Sequence, residues 1–205
     1  MNRYFFIAPV YDFLKRIVFG KTLNNAASHY LSELPKSAVV LIVGGGTGAS
    51  LPHFTKQHDV HFVDASGRMI RVAKKRPKDA TVHFYTQAFN PALFNQKFDA
   101  ICFPFFLDLF DQKEAIDLLN EVHNLLKPDG KLVITDFYPV ETLQNWRQKL
   151  VLRTVIVFFN VTTWHKHSKI FNIPEAVKLS NYQLVSLKEF ANGMVFASLW
   201  KRAEH

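Results

Sequence analysis

The chain has 205 residues, 48% of them hydrophobic and 14% aromatic, enough to bury a core and to exclude a disordered polymer. Lys and Arg outnumber Asp and Glu by 25 to 17, a net charge of +8. That favours acidic partners, but the densest basic group (Lys74, Lys75, Arg76, Lys78) reads as the solvated end of a helix. The single cysteine, Cys102, lies in an apolar run; it excludes an internal disulfide framework and fits a reducing, cytoplasmic setting.

Residues 1–37 read as a helical N-terminal segment. Its apolar start, Tyr4-Phe5-Phe6-Ile7-Ala8, is broken by Pro9 and Asp12 before a signal-peptide core can form. Ala38 to Val43 is a continuous apolar run ending in glycines, the pattern of a buried parallel strand. Val60 to Val63, Thr81 to Tyr85, Phe98 to Phe103 and Lys131 to Phe137 repeat it, with helical segments between. The clearest helix spans Asp111 to Leu126, with a capping box at Asp111 and Glu114 and a stop at Pro128 and Gly130. From Trp146 to Trp164, Leu143, Trp146, Leu150, Val157 and Val161 share a helical face that reads first as core packing. Its longest apolar stretch, Leu150 to Val161, carries Arg153 and falls short of the roughly 20 residues of a membrane span. Leu184 to Phe190 and Met194 to Trp200 read as strands joined by Asn192-Gly193, the residues of a type I′ hairpin turn. Strands alternating with helices predict a parallel sheet covered on both faces.

The chemistry is concentrated at Gly44-Gly45-Gly46-Thr47-Gly48, where the first strand turns toward a helix. Four glycines in five residues exceed what a tight turn needs, and they let a ligand approach the backbone. Gly44, Gly46 and Ala49 satisfy the dinucleotide fingerprint, while Gly44, Gly46 and Gly48 equally satisfy G-x-G-x-G. The loop alone does not choose between a nicotinamide cofactor and S-adenosylmethionine. Asp64, at the end of the second strand, can accept both hydroxyls of a ribose, or else cap the helix after it, where Ser66 would also serve.

Val63-Asp64-Ala65-Ser66-Gly67-Arg68-Met69-Ile70 resembles a segment of the class I S-adenosylmethionine-dependent methyltransferases. Phe98-Asp99-Ala100-Ile101 and Leu125-Leu126-Lys127-Pro128-Asp129-Gly130-Lys131-Leu132 resemble two more. Tyr11-Asp12 and Gly193-Met194-Val195-Phe196 are weakly similar to the methyltransferases of ubiquinone and menaquinone biosynthesis. The resemblance implies a Rossmann-like α/β fold: seven strands, mainly parallel, helices on both faces, and a C-terminal antiparallel β-hairpin. With no repeat or low-complexity linker, the chain reads as one domain over 1–205, with a cofactor-binding core at 38–137 and a substrate side and terminal hairpin at 138–205. The resemblance puts the methionine end of S-adenosylmethionine on Gly44, Gly45, Gly46, Thr47 and Gly48, and the ribose on Asp64. The adenine falls between Ala65, Met69 and the Gln87-Ala88 loop, and Phe103 lines the donor pocket. The terminal hairpin favours methyl transfer over a nicotinamide-dependent oxidoreductase; a non-catalytic S-adenosylmethionine-binding module is the third reading.

Two positions depart from the family: Ile42 stands where an acidic residue is usual, and Gln87 where an aspartate is. Phe103-Pro104-Phe105-Phe106 lacks the polar residue of the nucleobase amine methyltransferases, which disfavours a nucleic-acid substrate. The expected acceptor is a small molecule, lipophilic or aromatic. His165 and His167 read as a surface loop, and no metal site is expected. Either histidine, or Tyr138 or Asp136 beyond the fifth strand, could take a substrate proton, but no catalytic base is singled out. Arg147, Lys149 and Arg153 beside the apolar residues of 146–164 would let that segment touch an anionic membrane.

Overall fold

Seven runs rich in β-branched and aromatic residues form one sheet in the computed structural model, which describes residues 20–163 and 171–203. Strands β1 (Val39–Val43), β2 (Asp59–Asp64), β3 (Thr81–Thr86), β4 (Phe98–Pro104) and β5 (Leu126–Phe137) are parallel. Strands β6 (Tyr182–Phe190) and β7 (Val195–Arg202) join antiparallel, giving the order β3-β2-β1-β4-β5-β7-β6. Tyr4-Phe5-Phe6-Ile7, Tyr11-Asp12 and Trp164-His165-Lys166-His167 lie outside the described residues.

Alternation along each strand sends side chains to two separate cores. Leu41 and Val43 enter one core with Phe103, Ile134 and Trp200; helices α3 (Gln112–His123) and α5 (Ile173–Leu179) cover it with Leu119, Val122, Ile173 and Val177. Val40, Ile42 and Phe62 enter the other, closed by Ile70 and Ala73 of α2 (Gly67–Lys74). Helix α1 (Thr22–Ser28) packs Leu23 and Ala26 against Phe137, Leu143, Leu152 and Val195. The last of these leucines belongs to α4 (Trp146–Thr163). Ala26 also accepts the Thr135 hydroxyl at 3.3 Å, which ties α1 to the end of β5.

The Asp111 capping box forms as the sequence predicts: the carboxylate accepts the Glu114 N–H at 2.8 Å, and Glu114 accepts the Asp111 N–H at 3.0 Å. The helix stops at His123, short of Leu126, because Asn124 and Leu125 turn the chain and Leu126 already begins the strand. Phe98 pairs with Leu126 and Ala100 with Lys131, so Lys127 to Gly130 bulge outward opposite Asp99. Pro128 and Gly130 therefore shape a bulge in β5 rather than end a helix. Lys127 holds that bulge in place, its Nζ 2.9 Å from both Asp99 oxygens.

The hairpin is also longer than a two-residue turn. Asn192 (φ 54°) and Gly193 (φ 83°) have the expected positive φ, and the Met194 N–H donates to the Ala191 carbonyl at 3.3 Å. Ala191 (φ 51°) is left-handed too, so the ladder ends at Phe190–Val195. Met194 turns inward, nearly buried, and its carbonyl accepts the Tyr138 N–H at 3.0 Å.

Candidate functional site

The strand order reverses between β1 and β4, which opens a crevice at their carboxyl ends. The glycine loop lies there, folded onto β2 through the Gly44 and Gly45 N–H groups, which donate to the Val63 carbonyl at 2.9 and 3.3 Å. Gly45 is demanded by packing, since a Cβ would collide with the Phe62 ring. Gly46 differs. Its φ is +58°, nothing lies within 4 Å of where a Cβ would stand, and its N–H donates to Asp64 Oδ2 at 2.8 Å. The open side of the loop is thus at Gly46, beside a carboxylate.

Asp64 receives a second bond from the Ser66 N–H, at 2.8 Å to Oδ1. Burial raises its pKa, and the two backbone bonds oppose that rise. The cap of α2 is Ser66, whose hydroxyl accepts the Met69 N–H at 3.4 Å. Asp64 therefore fastens the glycine loop instead of capping a helix. Around it, Met69 is half-buried, and Ala65, Gln87 and Ala88 are exposed. Arg76, from the basic cluster, donates from Nε to the Thr47 carbonyl at 3.2 Å and steadies the loop from behind. Ile42 is buried in the second core, turned away from this crevice.

The opposite wall follows β4. Phe105 has φ 54°, a strained conformation for a bulky residue; its N–H donates to the Thr135 carbonyl at 2.7 Å and its ring packs 5.2 Å from Phe137. The turn lays Phe106 over Phe103, centroids 5.6 Å apart and planes 15° apart. Phe103 has no exposed surface. Phe106 is the ring against the glycine loop: its Cδ2 lies 2.6 Å from the place a Gly44 Cβ would occupy. The sequence reading missed Phe106, because nothing in a run of aromatics marks which one follows a left-handed residue.

Asp136 lies inside β5, not beyond it, and is fully buried. Oδ2 accepts the N–H groups of Leu107 and Asp108 at 3.1 and 3.3 Å, and Oδ1 accepts that of Phe137 at 2.9 Å. Burial pushes Asp108 up to about 6; burial and the charge of Asp108 push Asp136 well above the carboxylate range. This carboxyl is a strut beneath the loop after β4, out of reach of a substrate proton. The Tyr138 hydroxyl is pushed up to about 12 by burial and by Glu189, so it stays protonated and is no base near neutral pH.

On α4 the expected apolar face is split. Leu143 and Leu152 are buried, but Trp146 is 67% and Leu150 58% exposed, with Arg147 5.5 Å from the Trp146 ring centroid. Core packing therefore does not account for Trp146 and Leu150. The side chains of Val157 and Val161 lie outside the described residues. Among the described residues, no helix is long and apolar enough to cross a membrane.

Residues 40–130 match the methyltransferase domain family. The chain is 31% identical over 147 residues to the ubiquinone/menaquinone biosynthesis C-methyltransferase UbiE of Blochmanniella pennsylvanica (strain BPEN). That alignment takes in 66% of this chain and 57% of the relative, so the chain spans little more than half of the relative's length. In the DhpI–SAH complex, the aligned fold covers 98% of this chain and 94% of that one, with a TM-score of 0.67 and 18% identity. An S-adenosylmethionine-dependent methyltransferase from Clostridium acetobutylicum ATCC 824 aligns over 99% and 100% of the two chains, with a TM-score of 0.63 and 12% identity. The sheet order, the glycine loop with its carboxylate and the match over residues 40–130 make this chain similar to the methyltransferases in fold and, across that span, in sequence.

Proposed function

We propose that the protein transfers a methyl group from S-adenosylmethionine to a small lipophilic or aromatic acceptor. The observation that carries this reading is the pairing of Asp64 with the Gly46 N–H beside the open space at Gly46. A side chain at Gly46 would fill that cradle, and the carboxylate next to it keeps lone pairs for a diol, so the residues fit the cofactor.

Gly44 to Gly48 would hold the methionine end, Asp64 the ribose, and Ala65, Met69, Gln87 and Ala88 the adenine, within a cofactor half at 38–137. The cofactor supplies a sulfonium methyl, an electrophile that a nucleophilic acceptor atom can attack in line. The chain's own work is alignment and exclusion of water: Phe106, backed by Phe103, forms a dry wall against the loop. Neither Asp136, which is sealed, nor Tyr138, which stays protonated, serves as general base.

The UbiE relative, named for quinone biosynthesis, supports an aromatic ring precursor as acceptor. The exposed Trp146 and Leu150 beside Arg147 and Arg153 support contact with an anionic membrane, where such an acceptor would dissolve. Incubation with methyl-labelled S-adenosylmethionine and short-chain quinols tests the reading: label should enter the organic phase, with S-adenosylhomocysteine released. Cofactor binding without turnover on any acceptor would leave a binding module. Tight NADH binding, with none of the sulfonium cofactor, would overturn the reading. For the membrane contact, flotation with anionic vesicles should succeed at low salt and fade at high salt, since charge is screened within about 8 Å at physiological ionic strength. No flotation at low salt would remove that part.

A further inference from the structure

At the other end of β2, away from the glycine loop, three groups with metal-binding atoms meet on one face of the sheet. Asp59 and His61 are two apart on β2, so both point the same way, and His83 on β3 stands in register with His61. One ligand atom from each lies within 4.8 Å of the others. His83 Nε2 is 2.9 Å from Asp59 Oδ1, and His61 Nε2 is 3.9 Å from Asp59 Oδ2.

We propose that Asp59, His61 and His83 form a zinc-type site, binding a late first-row divalent cation through two imidazoles and one carboxylate, with the Gln96 side chain able to complete it.

Several features go beyond a chance cluster. His61 is held from behind: its Nδ1 is 2.9 Å from the Tyr85 hydroxyl, the kind of outer hydrogen bond that fixes the ring and tautomer of a ligating histidine. With Nδ1 protonated toward Tyr85, Nε2 presents its lone pair to the cluster. Gln96, exposed, lies 2.7 Å from that Nε2 through its amide nitrogen and can rotate to offer its amide oxygen. Asp59 Oδ1 is enclosed and accepts no hydrogen bond, and its near neighbour is the His83 imidazole. A cation between carboxylate and imidazole would give this oxygen a ligand bond in place of that contact. Both nitrogen ligands suit zinc, nickel or copper, and the mixed imidazole–carboxylate set suits zinc well.

The site is structural rather than catalytic. Asp59 and Asp64 are the two ends of β2, roughly 16 Å apart at the usual rise per residue. An ion there would join the edge strand β3 to β2 and to the chain leading into β4.

The test is zinc titration of the whole purified chain, stripped of metal, by calorimetry and by competition with a chromophoric chelator. Cobalt absorption reports the ligand set. One equivalent of zinc should bind and raise the unfolding temperature. His83→Ala, at a half-exposed position that should not perturb folding, should weaken binding at least tenfold and erase the cobalt bands. Asp59→Asn should weaken it too, whereas a His165→Asn/His167→Asn double variant should leave it unchanged. The proposal is overturned if micromolar zinc does not bind, if His83→Ala binds as the parent does, or if only the double variant loses the ion. Methyl transfer should proceed in metal-free protein, so a failure here is distinct from a failure of the methyltransferase reading.

Discussion

The carboxyl ends of β2 and β5 each carry an aspartate that gathers backbone N–H groups, yet the two are built for opposite purposes. Asp64 accepts two, from Gly46 and Ser66, and stays half-buried beside open space. Asp136 accepts three, from Leu107, Asp108 and Phe137, and has no exposed surface. The first leaves lone pairs for a visitor, and the second spends them on its own chain. Residue type and place in the strand therefore do not decide whether such an aspartate stays open; the neighbouring glycine without a packing partner does.

The sharpest way to break this contrast is Asp136→Ala. Two buried donors and a part-buried third lose their acceptor, and each unsatisfied group costs about 1–3 kcal/mol, so urea unfolding should show a loss of about 3 kcal/mol or more. Asp136→Asn, which keeps an acceptor oxygen, should lose much less. If the two variants are equally stable, Asp136 is not the strut described.

Asp64→Ala should strike binding instead. Loss of two hydrogen bonds to a charged group should weaken S-adenosylmethionine at least tenfold, about 1.4 kcal/mol, in a calorimetric titration. A variant that binds like the parent would move the ribose elsewhere.

The two ends also predict a pH dependence of unusual sign. Asp108 (about 6), Asp136 and Asp64 all have folded pKa values raised above the unfolded carboxylate value, so the native state binds more protons than the unfolded chain. The contribution of Asp108 is full below about pH 4 and is lost as pH rises through about 6, and those of Asp64 and Asp136 are lost as pH rises through their own raised values. Thermal unfolding should show a smaller fall as pH rises above about 4 in Asp136→Asn than in the parent. An equal fall would mean that Asp136 does not carry the raised pKa.

The smallest effect belongs to Gln87. It is exposed, so Gln87→Leu should weaken the cofactor only about threefold, roughly 0.7 kcal/mol, while Gln87→Asp roughly preserves affinity. Identical affinities in all three proteins would direct Gln87 away from the adenine.

What was legible in the sequence was local. An apolar run ending in glycines, an Asp–Glu capping box and alternating short strands each state their structure within a few residues, and β1 and the start of α3 lie within a residue of the expected bounds. Asp64 could be singled out because its spacing from the glycines carries the information. The rest depends on partners far along the chain. The early start of β5 follows from Phe98, and the choice of Phe106 as the facing ring follows from the left-handed Phe105. The Asp108–Asp136 pair needs β4 and β5 side by side, and the His61–His83 pair needs the register of β2 on β3. The split of α4 into a buried Leu152 and an outward Trp146 was not readable from spacing, since both orientations satisfy a helical period.

The sheet order has a consequence for how the protein assembles. β6 pairs with the sheet only through β7, a strand made after it, so β6 has no strand partner within the sheet until β7 is synthesised. The pair must arrive as a preformed hairpin with β7 leading, its Trp200 seated in the core against Phe196 and Ile134. Until then, the free flank of β5 and the apolar Leu184 and Val185 are open to pairing with another chain. The vulnerable moment of this protein's biogenesis is the interval before residues 195–202 emerge, and a slow ribosome or a scarce holdase would be felt there first.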